Sequence, residues 1–122
     1  MTVLTENLKR PAHYLVSEAN GHLSREQVII AAGADLAAGA VLGKITASGK
    51  YVRWNGSASD GSQTAVAVLF ADAKAASADA RVVITARHAE VSAAALVWPD
   101  GTLDAAKNTQ IANLASRGII AR

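Results

Sequence analysis

The chain contains no cysteine, which excludes disulfides, thiolate metal sites and a cysteine nucleophile together. Aromatic residues are scarce, at two Trp, two Tyr and one Phe, and there are only two prolines. No apolar run in the segment from Met1 to Asn20 reaches the length of a signal peptide or a membrane span, because Glu6, Lys9, Arg10, Pro11 and Glu18 interrupt it. A soluble product made in the cytoplasm is the expectation. Positive charge is not concentrated in any stretch: 12 Lys and Arg stand against 10 Asp and Glu, which argues against a nucleic-acid surface.

Motifs that carry chemistry are missing as well. No Gly-x-Ser-x-Gly occurs, so a hydrolase nucleophile elbow has no support. The glycines fit neither Gly-x-Gly-x-x-Gly nor Gly-x-x-x-x-Gly-Lys, and no helix start follows them, which leaves a nucleotide cofactor without a site. His13, Glu18 and His22 are close in sequence, but their spacing matches no helical or zinc-finger ligand set. His88, beside Arg87 and Glu90, reads as a surface or subunit hydrogen-bonding group. No catalytic residue, cofactor or metal is expected, and the chain does not read as an enzyme.

What is present is alanine. Of 122 residues, 28 are Ala and another 28 are Val, Ile or Leu. At about 25 cal/mol per Å² of apolar area buried, such small side chains give a thin core, and oligomerisation is one way to bury more. The length suits one domain. Met1 to Ser24 lacks sustained periodicity and reads as an extended N-terminal arm, with residues 25–122 as the folded unit.

Short apolar runs at Gln27 to Ala31, Val41 to Ile45, Tyr51 to Trp54, Thr64 to Phe70 and Arg81 to Ala86 predict strands. Ser48-Gly49-Lys50 predicts a hairpin pairing the second and third antiparallel. Thr64 to Phe70 is apolar on both alternating faces, with Val66, Val68 and Phe70 on one and Ala65, Ala67 and Leu69 on the other, so it should be a central strand. Asn55 to Gln63 and Ala71 to Ala80 read as surface loops. A helix is expected from near Thr102 to about Arg117, with Leu103, Ala106, Ile111 and Leu114 on its apolar face. Gly118 should stop it in a left-handed turn, returning Ile119 to Leu114, and Ile119 with Ile120 should form a short buried segment. The fold class is therefore β-rich α+β, a small antiparallel barrel or sandwich-like domain with a C-terminal helix. Trp54 suits core or interface packing, and Trp98 with Pro99 suits a core anchor or a subunit contact equally.

Several landmarks in order carry a resemblance from about Pro11 to Arg122. They are Tyr14-Leu-Val-Ser-Glu18; Gly33 and Gly39 followed by Val41-Leu-Gly-Lys44; Gly49-Lys-Tyr-Val52; Asp60-Gly-Ser-Gln63; the strand Ala65 to Leu69; Leu96-Val-Trp-Pro-Asp100; and Arg117-Gly-Ile-Ile-Ala-Arg122. In these the chain resembles the phage head decoration proteins of the lambda type. The resemblance implies a structural virion protein on the outer surface of the expanded capsid. It implies a homotrimer at three-fold and quasi-three-fold positions, stabilising the head against packaged DNA. Its partners would be its own copies and the major capsid protein, with no nucleic acid or membrane. The arm would order on docking, with Pro11, Tyr14, Leu15, Val16, Ser17 and Glu18 as capsid-binding residues and Trp54, Trp98 and Pro99 as trimer or core anchors. A second resemblance, of Ala37-Ala-Gly-Ala-Val-Leu-Gly43 to the turn and strand of lipoyl- or biotinyl-type carrier domains, suggests a small ligand-binding or carrier β-domain. The attachment lysine in a tight hairpin is missing from it, with Lys44 and Lys50 in other contexts.

Overall fold

The computed structural model describes residues 10–122. Its frame is set by alternation in short apolar strands, each too short to bury its own surface. Strands β1 (Leu15–Glu18), β2 (Arg25–Ile30), β3 (Val41–Lys44), β4 (Tyr51–Arg53), β5 (Ala65–Leu69), β6 (Ala80–Thr85) and β7 (Ala89–Val91) are followed by helix α1 (Asp104–Ala115) and strand β8 (Ile119–Ala121). Five strands close into a barrel in the order β2-β4-β3-β5-β6. A continuous antiparallel ladder from Arg25 opposite Thr85 to Ile30 opposite Ala80 completes the ring. The β2–β4 contact is parallel and consists of Ile30 opposite Tyr51. Closure removes the unpaired edges that an open sheet of this size would present.

The expected hairpin forms, with Lys44 opposite Tyr51 and Leu42 opposite Arg53. Gly49 takes φ +73° at its tip and donates its N–H to the Ile45 carbonyl at 2.8 Å. Strand β5 is buried at every residue, as its two-sided apolar pattern requires. One cluster joins Ile30, Leu42, Val66, Ala67, Leu69 and Ile84, contributed by the barrel strands and capped by Leu36, Ala73 and Ala75. A second joins Val41, Ala65 and Val68 to Tyr14, Trp54, Val91, Leu96, Leu114 and Ile119. The barrel thus has an inner core and an outer layer formed by the helix and a second sheet.

The division of β5 between these cores differs from strict alternation. Val66 joins Ala67 and Leu69, whereas Val68 joins Ala65. The pairing of β3 with β5 slips by one residue between Leu42 opposite Ala67 and Gly43 opposite Ala65. Such an irregularity places two consecutive residues against one and re-aims the side chains beyond it. Gly43 sits at the slip because the backbone of Ser62 passes directly over it: a Cβ there would meet the Ser62 carbonyl oxygen and lie 2.6 Å from its Cα.

The second sheet, in order β1-β7-β8, was not expected from periodicity. Strand β1 runs antiparallel to β7, and β7 runs parallel to β8. The stretch read as an N-terminal arm, Met1 to Ser24, therefore contributes a strand to this sheet. Met1 to Lys9 lie outside the described residues, but Tyr14 and Ser24 are buried and residues 15–18 are a strand of the fold. The reason is side-chain chemistry that a period count misses: Tyr14 brings both apolar area and a hydroxyl that finds a buried partner.

Four further expectations change in detail. Residues 71–80 form no helix, as read, yet Ala73 and Ala75 are buried, because Ala73 exchanges backbone hydrogen bonds with Leu36 at 2.8 and 2.9 Å. In the other expected loop Ser62 is buried, fixed by Asp60, whose carboxylate accepts its N–H and its hydroxyl. The helix starts at Asp104 rather than Thr102, since the Thr102 hydroxyl donates to the Pro99 carbonyl at 2.6 Å and does not cap. Leu103 therefore stays outside the helix and 74% exposed, and the buried face carries Gln110 and Leu114. At the far end Gly118 adopts φ +80° and Ile119 is buried in the cluster of Leu114. Ile120, expected to be buried, points outward, because β8 alternates.

Two outcomes follow. Deleting residues 118–122 removes β8 and Ile119 together, and should abolish cooperative thermal unfolding; an unchanged melting curve would refute the packing assigned to β8. The substitution Gly43→Ala should cost about 1–3 kcal/mol in denaturant unfolding, the usual range for forcing atoms into filled space.

Candidate functional site

The residues expected to bind a partner fall on two surfaces. On the first, the chain enters through a turn in which Ala12 takes φ 59° and donates its N–H to the Phe70 carbonyl at 2.8 Å. Pro11 is exposed there. Tyr14 is fully buried, and its hydroxyl lies 2.6 Å from the hydroxyl of Thr85, also buried, on β6. This bond ties β1 to the barrel. Burial pushes the Tyr14 phenol up to about 12, although its bond to Thr85 opposes the shift. Tyr14 is thus a core residue and not an exposed contact.

The rest of β1 divides by face. Leu15 is half-buried against the outer core, while Val16, at the irregularity between Leu15 and Ser17, is 56% exposed, and Ser17 is exposed. Glu18 receives both Nε and an Nη of Arg25 at 3.2 and 2.7 Å. The Arg25 guanidinium also lies 4.4 Å from the centre of the Phe70 ring. The fork is geometrically specific, and it commits Glu18 to the fold. In the sheet order β1 is an outer strand, with β7 on one side and no strand on the other among the described residues. An outer strand offers backbone groups to an added strand.

The second surface surrounds the tryptophans. Trp54 is buried, and its indole N–H donates to the Gln63 carbonyl at 2.7 Å, so it is a core anchor. Trp98 is half-buried and meets Trp54 edge to face, with centroids 5.7 Å apart. Half-buried Pro99 turns the chain toward Leu103. Pro99, Leu103 and Ala106 form one wall of a cleft of about 730 Å³ whose other side is the barrel rim at Ile30 to Leu36 and the Trp54 to Ser62 loop. The exposed Leu103 was legible only as a helix residue; its outward position depends on where Thr102 spends its hydroxyl.

The histidines do not converge. His13 Nδ1 lies 2.9 Å from the Arg10 carbonyl, and His22 and His88 are exposed. Among the described residues no cluster of three or more His, Cys, Asp or Glu is placed to hold a metal. No buried side-chain nitrogen or oxygen among them lacks a hydrogen-bond partner. No described helix is long and apolar enough to cross a membrane. Lys50 is ion-paired to Asp79 at 2.6 Å, and Lys44 lies 5.7 Å from the centre of the Tyr51 ring.

A family model described as bacteriophage lambda head decoration protein D matches residues 3–119. No curated protein matches the chain.

The Tyr14 anchor gives a pH-dependent signature. Its folded-state value, raised above the ordinary value of 10.0 to about 12, means that the unfolded chain releases the proton first. Stability from this group is fully present below about pH 10 and is lost as pH rises toward 12. Tyr14→Phe should lose about 1–3 kcal/mol at neutral pH by orphaning the Thr85 hydroxyl. Chemical denaturation from pH 9 to 12 should show a shallower decline for the variant than for the wild type; parallel curves would contradict the assignment.

Proposed function

This chain belongs to the phage head decoration protein family, a structural family of the virion capsid, and from that premise we propose that it binds the outer surface of the expanded head as a homotrimer at three-fold and quasi-three-fold positions. The observation that carries this reading is the family match across residues 3–119. The physical arrangement supports it in three ways.

The closed barrel protects its own edges, so association is confined to chosen surfaces. The outer strand β1, with exposed Val16 and Ser17, supports the proposal that a capsid strand adds along β1 and the segment leading into it, gaining backbone hydrogen bonds at the cost of that segment's ordering entropy. Exposed Leu103, in the same cleft wall as half-buried Pro99, supports a subunit face on the other surface. Each trimer would bridge several capsid subunits, and effective concentration would then favour every contact after the first. The shell gains resistance to internal DNA pressure because separating two capsid subunits would require breaking several such contacts together.

The position of Tyr14 and Ser24 in the fold decides how the arm is tested. Deleting residues 2–9 should leave the melting temperature and the trimeric mass by light scattering unchanged and abolish co-sedimentation with expanded, undecorated heads. Deleting residues 1–24 should instead unfold the protein. Full head binding by the shorter deletion would sink the arm mechanism, and a monomeric wild type would sink the trimer.

A further inference from the structure

The formal charge of +2 has a local counterpart on the surface. A cleft of about 720 Å³ opens at one side of the barrel, and its wall includes Glu26 of β2, Lys44 at the end of β3, Tyr51 of β4, Arg87 and His88 between β6 and β7, and Arg117 just after α1. Three permanent cations thus face one carboxylate. Glu26 is already engaged by Arg87 at 2.7 Å, and another Arg87 nitrogen donates to the Leu23 carbonyl at 2.8 Å. Lys44 and Arg117 are both exposed and have no ion-pair partner among the described residues.

These groups act on a common point. The Tyr51 phenol is raised first by burial and then by Glu26, while Arg117 and Arg87 pull it the other way. Tyr51 therefore stays protonated at neutral pH and can donate a hydrogen bond into the cleft. Surplus cations converging from separate elements, with a phenol donor between them, form a receptor for carboxylates. A nucleic-acid strand fits less well. Glu26 would oppose its phosphates, and the Tyr51 ring carries Lys44 rather than offering a free stacking face.

We propose that this cleft binds an acidic peptide segment, with two of its carboxylates pairing with Lys44 and Arg117. The inference rests on the capsid-binding reading for its partner: the segment belongs to the capsid subunit, and this contact is separate from the one made through β1. It makes head binding salt-dependent at this place and independent of charge elsewhere on the chain.

The test uses the full chain and a known probe. Hexaglutamate titrated into isotopically labelled protein at low salt should shift the amides of residues 44–51, 87–88 and 117 saturably, and hexalysine should not. The shifts should vanish in the double variant Lys44→Glu/Arg117→Glu and at about 0.5 M salt, where screening acts within a few ångströms. The same variant should weaken co-sedimentation with heads by about tenfold or more, as expected for reversing charges in a complementary contact. Lys74→Glu/Arg81→Glu, with the same net charge, should bind heads as the wild type does. Melting curves establish that both variants are folded. Absence of saturable shifts at these amides, or shifts that survive the reversal, overturns the cleft as an acidic-peptide site. A cleft that takes hexaglutamate while the reversed variant binds heads normally overturns its assignment to the capsid subunit. Wild-type protein that ignores heads at every salt concentration counts against the decoration reading, and the titration still decides the cleft by itself.

Discussion

The two-sided burial of β5 is the constraint on which the rest of the structure depends. A strand of five residues made only of Ala, Val and Leu cannot face water on either side. One face is satisfied by closing the barrel through β2 and β6. The other must be covered from outside, which draws in Val91, Leu114 and Ile119 from three separate elements and Tyr14 from the turn before β1. The helix and the small sheet are present because the barrel is apolar outside as well as inside. Alanine makes this workable: small residues at positions 65, 67, 73 and 75 let backbone layers approach closely, so a chain with five aromatics can still fill two cores.

The barrel was largely legible in the sequence because its signals are local. Runs of β-branched and apolar residues, glycine-bearing turns and the helix stop at Gly118 each depend on neighbours within a few positions. The small sheet was not legible for the converse reason. Its strands, Leu15–Glu18, Ala89–Val91 and Ile119–Ala121, are as short as β3 and β4 but have no hairpin turn between them to announce their pairing. Their stability comes from partners distant in sequence, as with the hydrogen bond between residues 14 and 85. The slip at Gly43 likewise follows from the passage of Ser62 over the strand, which no local pattern announces.

The candidate binding residues were legible as a group but not as individuals. The segment from Pro11 to Glu18 was identified as one unit. The structure divides it into an anchor, Tyr14, a structural ion pair through Glu18, and exposed positions at Val16 and Ser17. A partner surface and the fold that presents it share the same few residues. Trp54 and Trp98 divide in the same way, the first satisfied within the core and the second left half-covered. Composition reveals that a tryptophan will be buried somewhere, whereas which one is buried depends on the carbonyl of Gln63 being within reach.

The bond between Tyr14 and Thr85 also has a mechanical meaning. Strand β1 is held along its length to β7 and, at its start, by a side chain reaching across to β6. Tension applied to the chain before Pro11 would therefore be divided between two routes, one through the small sheet and one directly into the barrel wall. The first would load several backbone hydrogen bonds side by side; the second would load a buried ring wedged among apolar neighbours. A tether built this way yields only when both routes fail together, so the force it can carry exceeds what a three-stranded sheet alone would bear.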